Sequence, residues 1–169
     1  DALLTCVAAA RPERAKQFAD EFGVGRVEAD LAAVAAAGDE DVVDLCAPSF
    51  LHAEMAVAAA RARKHVIVEK PLTGFFGPAA TPRDEMLRRA LASADAVLAA
   101  CREAKVRLCY AENWVYAPPV QKARRLLTAA GGPILRLVGE ESHSGTHAPV
   151  NKRWDTGGGG SLLGKGCHP

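Results

Sequence analysis

Aromatic side chains are scarce in this sequence, at 5% of its 169 residues, while about a fifth of the chain is alanine. An interior built that way must be filled by small and branched aliphatic groups, which suits helices lying close against a sheet. Charge bias is also missing. Twenty-one Lys plus Arg stand against 20 Asp plus Glu, a formal net charge of +1, so no strong field is offered to a phosphate backbone and electrostatic nucleic-acid binding is not expected. No uncharged apolar run reaches the roughly 18 residues that a membrane span requires. The five cysteines, Cys6, Cys46, Cys101, Cys109 and Cys167, form no CxxC pair. Their odd number fits reduced thiols in a cytoplasmic protein better than a disulfide framework. Cys167, His168, His143 and His147 match no common zinc spacing, so no metal is expected. Leu3 to Ala10 has no basic leader and no cleavage pattern, and reads as a strand entered part-way, with the start of the protein expected upstream of Asp1.

What is present describes one ordinary globular unit: 49% apolar residues and 24% charged residues. The run Leu3 to Ala10 predicts a strand, and Pro12 near a helix start precedes Ala15, Phe18, Ala19 and Phe22 at helical spacing, closed by Gly23. Val24 to Ala29 predicts a strand, Leu31 to Ala37 a helix, and Asp41 to Ala47 a buried strand ended by Pro48. Ala53 to Arg63 predicts a nearly all-apolar helix and His65 to Val68 a strand buried on both faces. This alternation with short joints points to a parallel sheet covered by helices. After a Gly- and Pro-rich stretch at Gly74 to Arg83 comes a long helix, Asp84 to Ala104, with Leu87, Leu91, Ala94, Leu98 and Cys101 as its expected apolar stripe. Val106 to Tyr110 predicts a further strand. Pro118 to Ala130 predicts a helix with Val120, Ala123, Leu127 and Ala130 inward, and Ile134 to Glu141 alternates like a strand with one wet face. The fold class expected is α/β: a partial Rossmann-like parallel sheet over 1–115, then the start of an α+β domain with a mostly antiparallel sheet over 116–169.

Three places gather reactive groups at predicted strand ends, where open parallel sheets place ligands. In APSFLH, Ala47 to His52, the turn exposes backbone amides and the His52 ring, or simply caps a helix with Ser49. In EKP, Glu69 to Pro71, opposite charges at the mouth of an apolar strand must bind each other or a ligand, unless they form an ordinary surface pair. Lys70 there is suited to donating to a substrate oxygen or shuttling a proton. In GGGGSLLGKGCHP, Gly157 to Pro169, the glycines allow close backbone approach to a ligand before a helix, or form a flexible linker. No P-loop ending is present.

In that order, APSFLHAEMAVAAARARKHVIVEKPLTG, then YAENWVY, then GGGGSLLGKGCHP resemble the Gfo/Idh/MocA family of NAD(P)-dependent oxidoreductases over essentially the whole chain. The resemblance implies an N-terminal Rossmann domain and a C-terminal α/β domain whose open sheet supports substrate binding and homo-oligomer formation in the full-length protein. It implies that Glu69, Lys70 and Pro71 lie beside the nicotinamide, with Lys70 the active-site lysine and Pro71 often cis. Pro48, Ser49 and His52 would border the nicotinamide half, Asn113 would reach the same cleft, and His168 would stand near the substrate.

Two departures accompany it. The family's phosphate-binding G-x-G-x-x-G would precede Asp1, so the chain reads as a fragment. Where many relatives carry an Asp four residues before the histidine, this sequence has Gly164, which places more of the proton transfer on Lys70. The strand Leu3 to Ala10 ends in Arg11 with no acid, which favours NADP over NAD unless Arg11 merely faces water. The implied activity is hydride transfer between nicotinamide and a sugar, cyclitol or similar polyol. The alternatives are a catalytically silent cofactor or sugar sensor and an NAD-dependent glycosidase.

Overall fold

The computed structural model describes residues 2–140, 142, 144, 145 and 148–166. Strand β1 (Cys6–Ala8) leads into helix α1 (Pro12–Phe22), which has Pro12 in its first turn. Gly23 ends α1 at φ 67°, the left-handed region, where glycine carries no side-chain penalty. Strand β2 (Arg26–Glu28) pairs parallel with β1. Helix α2 (Leu31–Ala37) starts at Asp30, whose carboxylate accepts the Ala33 N–H at 2.9 Å.

A second parallel sheet follows. It runs β3 (Val42–Leu45), β4 (His65–Glu69), β5 (Leu108–Ala111), in that order across the sheet. Crossovers are made by α3 (His52–Arg61), preceded by a 3-10 turn at Ser49–Leu51, and by α4 (Arg83–Ala104). The predicted α/β alternation is therefore realised as parallel sheets with helical crossovers. Helix α2 packs on β1, β2 and α3, and so links the two sheets. Two cations reinforce that link. Arg26 of β2 pairs with Glu40, just before β3, and the buried Lys64 Nζ donates to Gly38 O at 2.9 Å and Glu40 O at 2.7 Å. Among the described residues no helix is long and apolar enough to cross a membrane.

The core is Val43 and Leu45 of β3, Val66 and Val68 of β4, Ala56, Ala59 and Ala60 of α3, and Val97, Ala100 and Cys101 of α4. Alanines on the inner face of α3 let its backbone approach the sheet closely, and valines fill the remaining space. Several expectations are corrected here. On β4, Val66 and Val68 are buried while His65 and Ile67 are half-buried, so one face rather than both is sealed. On α4 the buried face is Val97, Ala100 and Cys101. Leu87, Leu91 and Leu98 of the expected stripe are exposed, because the smaller side chains permit the closer helix contact with α3. Helix α1 buries only Ala15 and Ala19, and Phe18 and Phe22 stack on each other outside, with centroids 4.6 Å apart.

Beyond β5 come a 3-10 turn at Asn113–Tyr116, helix α5 (Pro118–Ala130), and the short helices α6 (Trp154–Gly157) and α7 (Gly160–Lys165). Helix α5 buries none of Val120, Ala123, Leu127 and Ala130, and residues 134–140 form no strand and lie exposed. The sheets described are parallel throughout, so the antiparallel strand expected at Ile134 to Glu141 is not seen over 134–140. Alternation alone does not make a strand. A ladder partner is needed, and none lies beside this segment among the described residues. Strand β1 is likewise shorter than expected, with Leu3 and Leu4 exposed.

Two measurements check this core. Val97→Ala should cost about 2 kcal/mol in urea unfolding, whereas Leu91→Ala should stay within about 0.5 kcal/mol. On the outward side of the sheet, Cys46 Sγ donates to Asp44 Oδ1 at 3.7 Å. Partial burial, then the Asp44 carboxylate, then Glu69, push the Cys46 thiol up from its ordinary range. Since the thiolate is the nucleophile, Cys46 should alkylate slowly at pH 8 in iodoacetamide mass-spectrometric labelling, and Asp44→Asn should shift its midpoint to lower pH.

Candidate functional site

Strands β3, β4 and β5 finish side by side. Leu45 is level with Val68, Val68 with Tyr110, and Glu69 with Ala111. Parallel neighbours must all present their carboxyl ends on one edge, and the chemistry-bearing residues leave from that edge. After β3 come Pro48 and Ser49, after β4 Lys70 and Pro71, and after β5 Glu112 and Asn113. Pro48 opens the 3-10 turn, in which Leu51 N–H donates to Pro48 O at 2.9 Å and His52 N–H donates to Ser49 O.

His52 does not stand at the mouth of the cleft. Its ring is 1% exposed, with Nδ1 2.8 Å from Pro71 O and Nε2 2.8 Å from Ala47 O. The expectation of an exposed ring is corrected: His52 braces the exit of β3 against the exit of β4. A buried imidazole is expensive unless its N–H finds an acceptor, and either carbonyl can accept it, according to the tautomer. The Lys70–Pro71 bond beside it is cis.

Glu69 and Lys70 do not pair through their side chains. Glu69 Oε2 accepts the Lys70 backbone N–H at 3.0 Å. The Lys70 ammonium instead donates to Gly164 O, 94 residues further on, at 2.7 Å. The half-buried charge is thus met by a peptide oxygen of α7.

Contacts between the loop after β4 and the segment around α6 and α7 create that meeting. Trp154 Nε1 donates to Gly77 O at 3.0 Å. Phe76 lies against Gly158, which sits at φ 51°, and a β-carbon there would collide with the Phe76 ring. Phe50, in the 3-10 turn before α3, meets Phe76 edge-on at 6.4 Å. Close approach at Gly158 is to the Phe76 ring of the same chain.

The remaining expected residues are more scattered. Asn113 is exposed at the start of the turn after β5. Arg11 is exposed at the N-terminus of α1, with no side-chain cap bond, on the exit of the other sheet. His168 lies outside the described residues. Sequence reasoning missed Glu112, which is buried, with its carboxylate accepting the N–H groups of Trp114 and Val115 at 3.1 Å each. Glutamate is not a favoured capping residue, so the local sequence carried little signal. It also missed Gly164 O, a backbone atom that no side-chain motif advertises.

Comparison with known proteins accords with this geometry. Residues 1–112 match the family model described as "Oxidoreductase family, NAD-binding Rossmann fold". The chain is similar to D-xylose 1-dehydrogenase (NADP(+)) 2 of Haloferax volcanii, 30% identical over 92% of this chain and 43% of that protein. It is also similar to levoglucosan dehydrogenase of Pseudarthrobacter phenanthrenivorans, 46% identical over 39% of this chain and 17% of the relative. Among solved structures, GenD2 from gentamicin A biosynthesis in complex with NAD superposes with a TM-score of 0.77 at 26% identity, over 98% of this chain and 44% of that one. The chain spans less than half the length of these relatives. With two thirds of its length matched by the family model, the chain belongs to the Gfo/Idh/MocA family of oxidoreductases.

Proposed function

We propose that this chain is part of an NAD(P)-dependent oxidoreductase that moves a hydride between nicotinamide and a carbinol carbon of a sugar, cyclitol or similar polyol. The observation that carries the reading is the Lys70 ammonium, held at the carboxyl edge of the sheet by Gly164 O at 2.7 Å. Relatives named for xylose and levoglucosan support the substrate class. The nicotinamide cofactor, when bound, supplies the hydride chemistry. The residues at the edge suit its nicotinamide half: Pro48, Ser49 and Asn113 border the crevice, Glu69 and Pro71 frame Lys70, and buried His52 holds two of the exits together.

Lys70 is the proton-transfer group in this reading. An ammonium carries three N–H donors. One is directed at Gly164 O, and a substrate oxygen is an acceptor for another. In the reducing direction Lys70 donates a proton to the oxygen as negative charge develops on it; in the oxidising direction the amine takes the hydroxyl proton. His168 shares this role near the substrate. Arg11, exposed at the exit of β1, supports NADP, since a guanidinium matches a ribose phosphate.

The reading extends to organisation. Residues 1–115 form the dinucleotide-binding unit, and 116–169 open a substrate unit. The exposed Ile134, Leu135, Leu137 and Val138 support a sheet completed by strands outside the described residues. Homo-oligomer formation and a cytoplasmic location belong to the same reading. A second reading, a catalytically silent sensor, is favoured by one observation: position 164 gives Lys70 a carbonyl and no carboxylate.

In the full-length protein, Lys70→Ala should lower kcat about 100-fold or more with the melting temperature preserved. Undiminished turnover in that variant refutes the role of Lys70. Saturable nicotinamide binding with no absorbance change across a polyol panel would establish the sensor instead. Arg11→Ala should raise the KM for NADP about tenfold, the loss of one charge-assisted phosphate contact, and leave that for NAD unchanged in steady-state assays.

A further inference from the structure

Lys70 stands between two fixed points of the main chain. Before it, Glu69 is the last residue of β4, level with Ala111 of β5, and its carboxylate accepts the Lys70 N–H at 3.0 Å. After it, Pro71 is buried, with its carbonyl 2.8 Å from His52 Nδ1. His52 is well anchored in turn, as the first residue of α3, whose Ala56, Ala59 and Ala60 lie in the core. Its ring is a short strut from that core to the residue following Lys70.

The two ring contacts are not equivalent. Nε2 faces Ala47 O within the turn that His52 itself ends, and that turn is also closed by Leu51 N–H on Pro48 O and by His52 N–H on Ser49 O. The Nδ1 contact spans nineteen residues to the other strand exit and is the more deeply buried of the two. A buried carbonyl left without a donor costs about 1–3 kcal/mol, whereas Ala47 is half-buried and its carbonyl can turn to water. The ring N–H is needed at Pro71.

We infer that His52 is a positioning residue for Lys70, acting through an Nδ1–H donated to Pro71 O. The inference rests on Lys70 being the proton-transfer group. The ammonium meets Gly164 O at 2.7 Å from a backbone held on both sides. Released on one side, that backbone shifts, and the flexible stem no longer brings the ammonium to one point.

The test separates the two ring nitrogens in the full-length protein. The amide nitrogen of asparagine falls near the place of Nδ1 and that of glutamine near Nε2, and each is a donor. The readouts are kcat, the cofactor KM and the rate of Lys70 reductive methylation in mass spectrometry. His52→Ala should raise Lys70 labelling severalfold and lower kcat about 10- to 100-fold at unchanged cofactor KM, the cost of a misplacement near 1 Å. His52→Asn should recover kcat to within about fivefold of the parent, the worth of one imperfect hydrogen bond, and return labelling towards the parental rate. His52→Gln should behave as His52→Ala does, whatever the melting temperatures of the two amide variants. Equal labelling in His52→Asn and His52→Gln overturns the inference. Should these variants not fold, long-range nitrogen–proton NMR of the parent decides: a hydrogen on Nδ1 of His52 supports the inference, and one on Nε2 alone overturns it. Full turnover in Lys70→Ala overturns the functional reading instead, and the labelling comparison still judges how Lys70 is placed.

Discussion

Strand β4 is hydrogen-bonded on both edges, to β3 and to β5, and the arrangement of this molecule follows from that. Val66 and Val68 on its inner face have no exposed surface, and the alanines of α3 close over them. A strand held on two sides and sealed on one face delivers its carboxyl end to a fixed point. Lys70 leaves from that point, so its backbone is placed by the best-packed part of the chain. Its long side chain is flexible by nature, and the placement of the ammonium depends on what it meets.

Two devices complete the placement, each made from backbone oxygens. His52, spanning Ala47 O and Pro71 O, makes the exits of β3 and β4 one unit. The α6–α7 segment lies against the loop after β4 through the Trp154 bond to Gly77 O and the contact of Phe76 with Gly158, and brings Gly164 O to Lys70. Rigid scaffold and applied segment thus differ in kind: one rests on buried apolar area, the other on a few directed contacts and glycines small enough to permit them.

Most of the parallel architecture was legible. Strand, helix and strand announced themselves through valine-rich runs, Pro12 and Gly23, because local propensity and tertiary packing agree there. The α4 stripe was misread for a physical reason. Leucine marks an apolar stripe by its size, but against an alanine-lined helix the closest fit is won by Val97 and Ala100, and Leu87 and Leu91 are left outside. Residues 134–140 alternate as a strand would, yet pairing is a property of two segments, and one segment's pattern cannot supply it. At the site, EKP pointed correctly to the β4 exit. The pairing of its lysine was not legible, since the partner is a main-chain oxygen. His52 was visible as a residue of interest, but its burial was not, since that depends on carbonyls five residues before it and nineteen after.

The ammonium of Lys70 is anchored to a peptide oxygen, an atom that every amino acid carries. A β-carbon at position 164 would meet nothing within 4 Å, so the side chain there is free to vary while the anchor persists. Position 164 can therefore drift, altering the surroundings of the ammonium without unseating it. A fold wired in this way separates the inheritance of a charge's location from the tuning of its environment.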